Sequence, residues 1–180
     1  DTFRSSVAAR TIHKYGKVII NDISAGELDP LIVDVAAEHD VPYVAMHMKG
    51  DPRTMQSMTD YRDIVAEVVD YFRERTAQLR ERGVRRIVVD PGFGFAKTLE
   101  QNYELLRGLH SLAELGYPVL AGVSRKSMIY KLLGTTPAEA LNGTTALHWE
   151  CLRQGAAILR AHDTREAVEV VRMFDQFMQA

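Results

Sequence analysis

The sequence predicts an α/β fold, a (β/α)8 barrel (TIM barrel) of which this chain carries about strands 4–8. Three observations point there. Five short apolar runs alternate with helical stretches at spacings of about 25 to 45 residues, and such alternation demands a parallel sheet with helical crossovers. All five runs end on polar residues; a barrel builds its site at every strand end, whereas a doubly wound sheet concentrates it at one switch point. Five strands in 180 residues also fall short of the eight strands and roughly 250 residues of a closed barrel, so roughly the first three strands are expected to be absent. Residues 1–180 read as one domain, N-terminally incomplete, because no linker or low-complexity tract divides them.

Each element has a local reason. Ser5 to Tyr15 reads as a helix stopped by Gly16, and residues 18–23 as the first strand. Asp29-Pro30 starts a helix, a capping side chain followed by proline at the first helical position. That helix is expected to bury Leu31, Ile32, Val35 and Ala36. After Pro42 comes a strand at 43–48, then a polar loop at 49–61. Ile64, Val65, Val68, Val69, Phe72 and Leu79 keep a helical period, which predicts an amphipathic helix ending at Gly83. Ile87-Val88-Val89 is β-branched throughout, as in a strand covered on both faces, and Asp90-Pro91-Gly92 ends it. Thr98 with Gln101 forms a capping box for a helix through Leu115. Residues 118–123 make the fourth strand, Thr136 with Glu139 is a second capping signature, and a helix around 147–152 stops near Gly155. The fifth strand is 157–162. Asp163 with Glu166 then caps a final helix whose stripe is Ala167, Val170, Val171, Phe174 and Met178.

Composition narrows the function classes. The chain is 46% hydrophobic and 26% charged, which suits a globular core. A net charge of −2 with no long Lys or Arg run offers no field to attract nucleic acid. No apolar stretch nears the roughly 20 residues that span a bilayer. No signal-peptide pattern opens the sequence, and the single Cys151 excludes an internal disulfide, so a reducing cytoplasm is expected. Cys151 lies in a helical stretch without a base partner and reads as core packing.

The strand ends carry the chemistry. They offer Asp1, Asn21 with Asp22, His47, Asp90, the run 124–127, and Arg160 with His162. A turn-forming Asp is the plainer reading of Asp90-Pro91-Gly92 alone; four further strands ending on polar residues favour a site. The GFGFAK run lacks the third glycine of a dinucleotide fingerprint and is not read as one. Arg160 and His162 stand two apart on a strand, hence on one face, and a guanidinium beside an imidazole suits an anion such as phosphate. Lys126 and the backbone N–H groups after Ser124 add a second positive locus. Asp90, Asn21 and Asp1 supply two acids and an amide. A carboxylate accepts two N–H bonds side by side, which suits the guanidine-like edge of a flat nitrogen heterocycle.

The strings INDI, MHM-x-G-x-P-x-TMQ, DPGFGFAK, SRKSMI and R-x-HD, in this order from Asp1 to about Phe174, resemble the dihydropteroate synthase family of bacterial folate biosynthesis. The resemblance implies a (β/α)8 barrel that joins p-aminobenzoate to 6-hydroxymethyl-7,8-dihydropterin diphosphate, giving 7,8-dihydropteroate and diphosphate. It implies that Asp1, Asn21, Asp90 and Lys126 hold the pterin, with Met46 and Gly122 lining its pocket. Arg160 and His162 would hold diphosphate, and Phe95, Lys126 and Ser127 would lie beside p-aminobenzoate. It also implies Mg²⁺, whose Asn ligand in the family belongs to a first strand and loop outside this sequence, so none of these residues is expected to bind metal. A homodimer, sulfonamide inhibitors and a cytoplasmic location are further implications. Ala96 in the glycine loop and Ala161 between Arg160 and His162 are small-residue variants of the family pattern, expected to be neutral.

Three other readings stand beside this one. A metal-dependent barrel hydrolase would use His47, His162 and Asp163, but adjoining strands offer Asn21 and Ser124 instead, and no His-x-His occurs. A pterin-binding methyltransferase domain shares the Asp/Asn/Asp cradle and has no need of Arg160 and His162. A non-catalytic pterin-binding fragment is the third.

Overall fold

The computed structural model describes residues 1–51 and 53–179; Pro52, the proline of the MHM-x-G-x-P-x-TMQ string, lies outside them. The described residues form α1 (Ser5–Tyr15), β1 (Ile20–Asp22), α2 (Leu31–Glu38), β2 (Tyr43–Met46), α3 (Ile64–Glu81), β3 (Ile87–Asp90), α4 (Leu99–Arg107), α5 (His110–Ala113), β4 (Leu120–Ala121), α6 (Ser127–Leu133), α7 (Leu141–Arg153), β5 (Ile158–Leu159) and α8 (Thr164–Gln179). All strand pairs are parallel. β1 pairs with β2 from Ile20↔Tyr43 to Asp22↔Ala45, and β2 with β3 from Tyr43↔Ile87 to Met46↔Asp90. β4 pairs with β5, and the two ladders join at the parallel bridge Val89↔Val119, where the Val89 N–H donates to Pro118 O at 3.0 Å. Spatial order therefore follows chain order. A doubly wound sheet departs from chain order at its switch point; these strands do not.

Side chains alternate along a strand, and burial sorts them into two layers. Tyr43, Ala45, Ile87, Val89, Val119 and Ala121 belong to the main core. There they share a cluster with Ile64, Val68, Val69, Phe72 and Leu79 of α3, the helical stripe read from the sequence. The alternate residues Val44, Val88 and Leu120 form a separate small cluster on the opposite face. β2 and β3 are buried at all four positions, as sheets covered on both sides require.

Several elements depart from the sequence reading for tertiary reasons. The helix expected from Thr98 through Leu115 has its capping box, with the Gln101 N–H donating to Thr98 Oγ1 at 3.2 Å and the Thr98 N–H to Gln101 Oε1 at 2.9 Å. It breaks at Gly108, where a Cβ would stand 2.6 Å from Val65 Cγ2, so α3 crowds the chain there. α6 was not foreseen; it starts within the polar run after β4. The Thr136–Glu139 box closes a 3₁₀ turn, Pro137–Glu139, ahead of α7. β4 and β5 are shorter than expected. In α2, Leu31 is exposed and Val33 is buried instead. In α8 only Ala167 and Val170 are buried, while Met178 points to solvent. Asp163 does not reserve its carboxylate for that helix; it takes the Arg125 guanidinium at 2.8 Å through both oxygens. Cys151 is buried, and burial pushes its thiol up to about 12, which suits core packing. Among the described residues no helix is long and apolar enough to cross a membrane.

Gly92, just past β3, is the tightest point. Its φ is +68°, and a Cβ would lie 2.1 Å from His47 O. Gly116 has a similar φ of +80° but open space around it. Gly116→Ala should therefore cost about 1–2 kcal/mol from left-handed strain alone, and Gly92→Ala about 3 kcal/mol or more from strain and overlap together. Urea midpoints at unchanged m-value measure both; equal losses would show that the segments after β2 and β3 yield freely.

Candidate active site

The ladder places the polar strand ends on one face. Asn21 is level with Val44, and Met46 and Asp90 are register partners two residues beyond Val44 and Val88. Ala121 pairs with Leu159, so Gly122 and Arg160 follow Leu120 and Ile158 on the same parity. Asn21, Met46, Asp90, Gly122 and Arg160 thus share the face of the small cluster, away from the helices.

Asp90 is the buried centre of this face. It is 6% exposed, and its Oδ1 accepts the Gly92 N–H at 2.8 Å, which leaves Oδ2 to a ligand. Burial pushes its carboxyl above the usual range, opposed by Lys126, the Gly92 N–H, Lys97 and Arg160. The Lys126 amine is pushed down by burial and held up by Asp90. Its Nζ donates to Phe93 O and stands 4.9 Å over the Phe95 ring. Gly122 lies between the cations: a Cβ there would be 3.8 Å from Lys126 Nζ and 3.9 Å from Arg160 Cβ.

Asp1 links two of the expected residues. One oxygen accepts from Asn21 Nδ2, and the other accepts from Arg160 Nη2 at 2.9 Å. This pair is open to solvent, with side-chain exposures of 54% for Arg160 and 60% for Asp1. Such pairs contribute at most about 1 kcal/mol, so Arg160 is free to exchange Asp1 for a stronger anion. Asn21 Oδ1 is buried and has no hydrogen-bond partner among the described residues. A buried orphan acceptor costs about 1–3 kcal/mol, and a ligand N–H would offset it.

Arg160 and His162 were expected as one pair, but the structure gives them different partners. β5 ends at Leu159, and the Arg160 N–H extends its ladder by one bond, to Ala121 O at 3.0 Å. Ser124 Oγ accepts the His162 N–H at 3.1 Å and lies 3.0 Å from His162 Nδ1. Ser124 thus orients both the backbone and the ring of His162. Ser127 is the first residue of α6.

Four residues have supporting roles that the sequence reading did not assign: Lys97 and Asn102, which it did not single out, and Asp22 and Ser124, which it placed only as strand ends. Asp22, adjacent to Asn21, points the other way and is saturated: Oδ1 accepts the Ser24 N–H and Oγ, each at 2.8 Å, and Oδ2 accepts the Gly26 N–H at 2.7 Å and Tyr43 OH at 2.6 Å. Opposite parity of neighbouring strand residues was the available signal. Lys97 is buried behind the glycine loop and donates to His47 Nδ1 at 3.2 Å. Asn102 holds the Gly94 N–H at 2.6 Å. Ser124 orients His162, as above. Ala96, expected to be neutral, sits at φ +51°, where glycine is favoured, so this variant carries strain. Among the described residues no three His, Cys, Asp or Glu side chains cluster to hold a metal ion.

Comparison with known proteins places the chain in a family. A family model described as pterin binding enzyme matches residues 1–162. A Synechocystis protein named dihydropteroate synthase is 42% identical over 178 residues, covering 97% of this chain and 61% of its own length. The chain spans about three fifths of the length of the curated relatives it matches. The solved dihydropteroate synthase of Thermus thermophilus in complex with 6HMPPP superposes with a TM-score of 0.92 at 40% identity, covering 98% of this chain and 70% of that one. The same protein has been solved in complex with 4-aminobenzoate. A Yersinia pestis dihydropteroate synthase with a sulfonamide drug superposes with a TM-score of 0.95 at 34% identity, covering 100% of this chain and 66% of that one.

His47 gives this region a pH signature. Burial, then Lys97 and Lys49, pushes its imidazole down to about 3. The unfolded chain thus binds a proton near pH 6.5 that the folded chain refuses, and stability falls on acidification. Between neutral pH and pH 5 this group should remove about 2 kcal/mol. His47→Gln should flatten the slope of unfolding free energy over that window; an unchanged slope would mean that His47 titrates normally.

Proposed function

This chain belongs to the family of pterin-binding enzymes, and we propose that it carries the substrate site of a dihydropteroate synthase. The reaction joins 6-hydroxymethyl-7,8-dihydropterin diphosphate to p-aminobenzoate in folate biosynthesis. The observation that carries this reading is the buried Asp90 carboxylate, with Lys126, Lys97 and Arg160 around it and the orphan Asn21 oxygen on the same face. Two acceptors against the amino and ring N–H groups of a pterin would satisfy both. We read the five strands as strands 4–8 of a (β/α)8 barrel, forming an N-terminally incomplete barrel domain over 1–180; chain-order winding and the inner layer of Val44, Val88 and Leu120 support this.

The roles follow from the charges. Asp1, Asn21, Asp90 and Lys126 take the pterin, beside Met46 and Gly122. Arg160 and His162 take the diphosphate, and Phe95, Lys126 and Ser127 border p-aminobenzoate. The arylamine is a weak nucleophile, so the C–O bond to diphosphate breaks early, the amine nitrogen then bonds the methylene carbon, and the resulting ammonium gives its proton to diphosphate or water. Negative charge grows on the departing diphosphate, where Arg160, His162 and Lys126 meet it. The Asp90 carboxylate, accepting ring N–H bonds, leaves the pterin electron-rich and supports positive charge at the methylene. No general base is required for the first step. The Mg²⁺ implied by the resemblance finds no ligand cluster among the described residues, and no step here runs through it. A self-contact of the exposed α8 face, with Met173, Phe177 and Met178, is our assignment for the implied homodimer; the buried single Cys151 suits a cytoplasmic location. Sulfonamides, as mimics of p-aminobenzoate, would compete at its border.

Asp90→Asn should weaken pterin binding about tenfold to a hundredfold, the size of a lost charged hydrogen bond. Calorimetry on the folded variant reads this, and an unchanged affinity would remove Asp90 from the pterin contact. Diphosphate should strengthen pterin binding to the unmodified chain. In Arg160→Ala that coupling should vanish while free pterin binding stays nearly intact; equal coupling would move the anion to Lys126 and the Ser124 loop.

A further inference from the structure

Lys97 is assigned no substrate contact above, yet it is 6% exposed and fully bonded. Its Nζ donates to Gly92 O at 3.0 Å, Phe95 O at 2.9 Å and His47 Nδ1 at 3.2 Å. Three acceptors use all three N–H bonds of an ammonium; a neutral amine would lack one donor. The two carbonyls belong to one turn, closed by the Phe95 N–H on Gly92 O at 3.0 Å. That turn is hard to hold by itself, with left-handed φ values at Gly92, Gly94 and Ala96. It carries the Phe95 ring beneath Lys126. Behind it, a cleft of about 500 Å³ is lined by Gly94, Lys97, Asn102 and Ser127 among others.

We propose that Lys97 is a positioning residue for the arylamine end of the site: it ties both carbonyls of the Gly92–Phe95 turn to His47 and so fixes the Phe95 ring. The inference rests on reading Phe95 and Ser127 as the p-aminobenzoate border. The charged neighbours are Asp90 at the end of β3, Lys126 ahead of α6 and Lys49 after β2, and the titratable His47 also follows β2. Tyr71 of α3 meets the His47 ring edge-on at 4.9 Å, and Tyr61 lies at 6.2 Å from it. Glu67 of α3 pairs with Lys49 at 3.0 Å. Burial pushes the Lys97 amine down to about 7, against the pull of Asp90 and with the push of Lys126 and Lys49. His47 stays neutral throughout the physiological range. The clamp therefore has its full donor set below neutral pH and loses a donor above it.

The test uses the full chain and Lys97→Met, with pterin and diphosphate present. Calorimetry measures p-aminobenzoate affinity from about pH 6 to 8.5, across the amine's titration, and NMR follows the Phe95 ring over the same range. In the unmodified chain, p-aminobenzoate should bind about tenfold more weakly or worse at the alkaline end, with pterin changed less than about threefold. The ring signals should move with the same midpoint, near the amine's value of about 7. Lys97→Met should bind p-aminobenzoate weakly at every pH and show no midpoint. If that variant fails to fold, the ring titration of the unmodified chain decides. Tight p-aminobenzoate binding without pH dependence, or a midpoint that survives Lys97→Met, would overturn the clamp alone. A ring transition near neutrality with no p-aminobenzoate bound at any pH would overturn the reading of the arylamine end, and the positioning role with it.

Discussion

Placing an ionisable carboxylate inside a protein is costly unless donors and cations gather round it. Asp90 sits at the end of a strand buried at every position, and much of the chain answers that requirement. Lys126 arrives ahead of α6, Lys97 from the segment ahead of α4, and Arg160 from the end of β5, so three separate segments bring positive charge near one carboxylate. The in-register parallel ladder makes the convergence possible, because equal parity turns the ends of neighbouring strands toward the same side. A one-residue slip in any strand would turn its contribution toward the helices.

Asp22 shows the same constraint resolved differently. Its carboxylate faces the helices and receives four donors from its own chain, two of them from Ser24 and one from Tyr43. Nothing is left for a ligand, and the residue acts as a rivet for the loop after β1. Asp90 receives one N–H from Gly92. The two acids differ by parity, and parity decides which becomes structure and which becomes a site. Rigidity around Asp90 comes instead from the following loop, where Lys97, Asn102 and Lys126 hold a backbone that visits left-handed conformations three times.

The fold was legible where local pattern and tertiary need coincided. The bounds of α1 and β3 were read residue for residue, because Gly16 and Pro91-Gly92 are unambiguous stops. Asn21, Asp90 and Arg160 were legible as strand ends and Met46 and Gly122 only through the family resemblance, and the ladder brings all five to one face. The break at Gly108 was illegible because its cause, Val65, lies on another helix. α6 was hidden behind the polar run that opens it. Lys97 was passed over since a lone lysine reads as solvent-facing, and only the three acceptors around it in space say otherwise. β5 ends at Leu159, ahead of Arg160 and His162, and Ser124, from the neighbouring strand end, holds the histidine, a contact that strand pattern could not show.

The bond between Asp1 and Arg160 spans 159 positions of the chain. Contacts of that separation form only after the intervening segments have found their places, since closing so large a loop gains nothing until the rest of the sheet holds its ends near each other. The anion end of the mouth is therefore among the last features a folding molecule acquires. A newly made chain would pack its helices against β2 and β3 well before Asp1 meets Arg160, so ligand binding there reports the finished molecule rather than a collapsed intermediate.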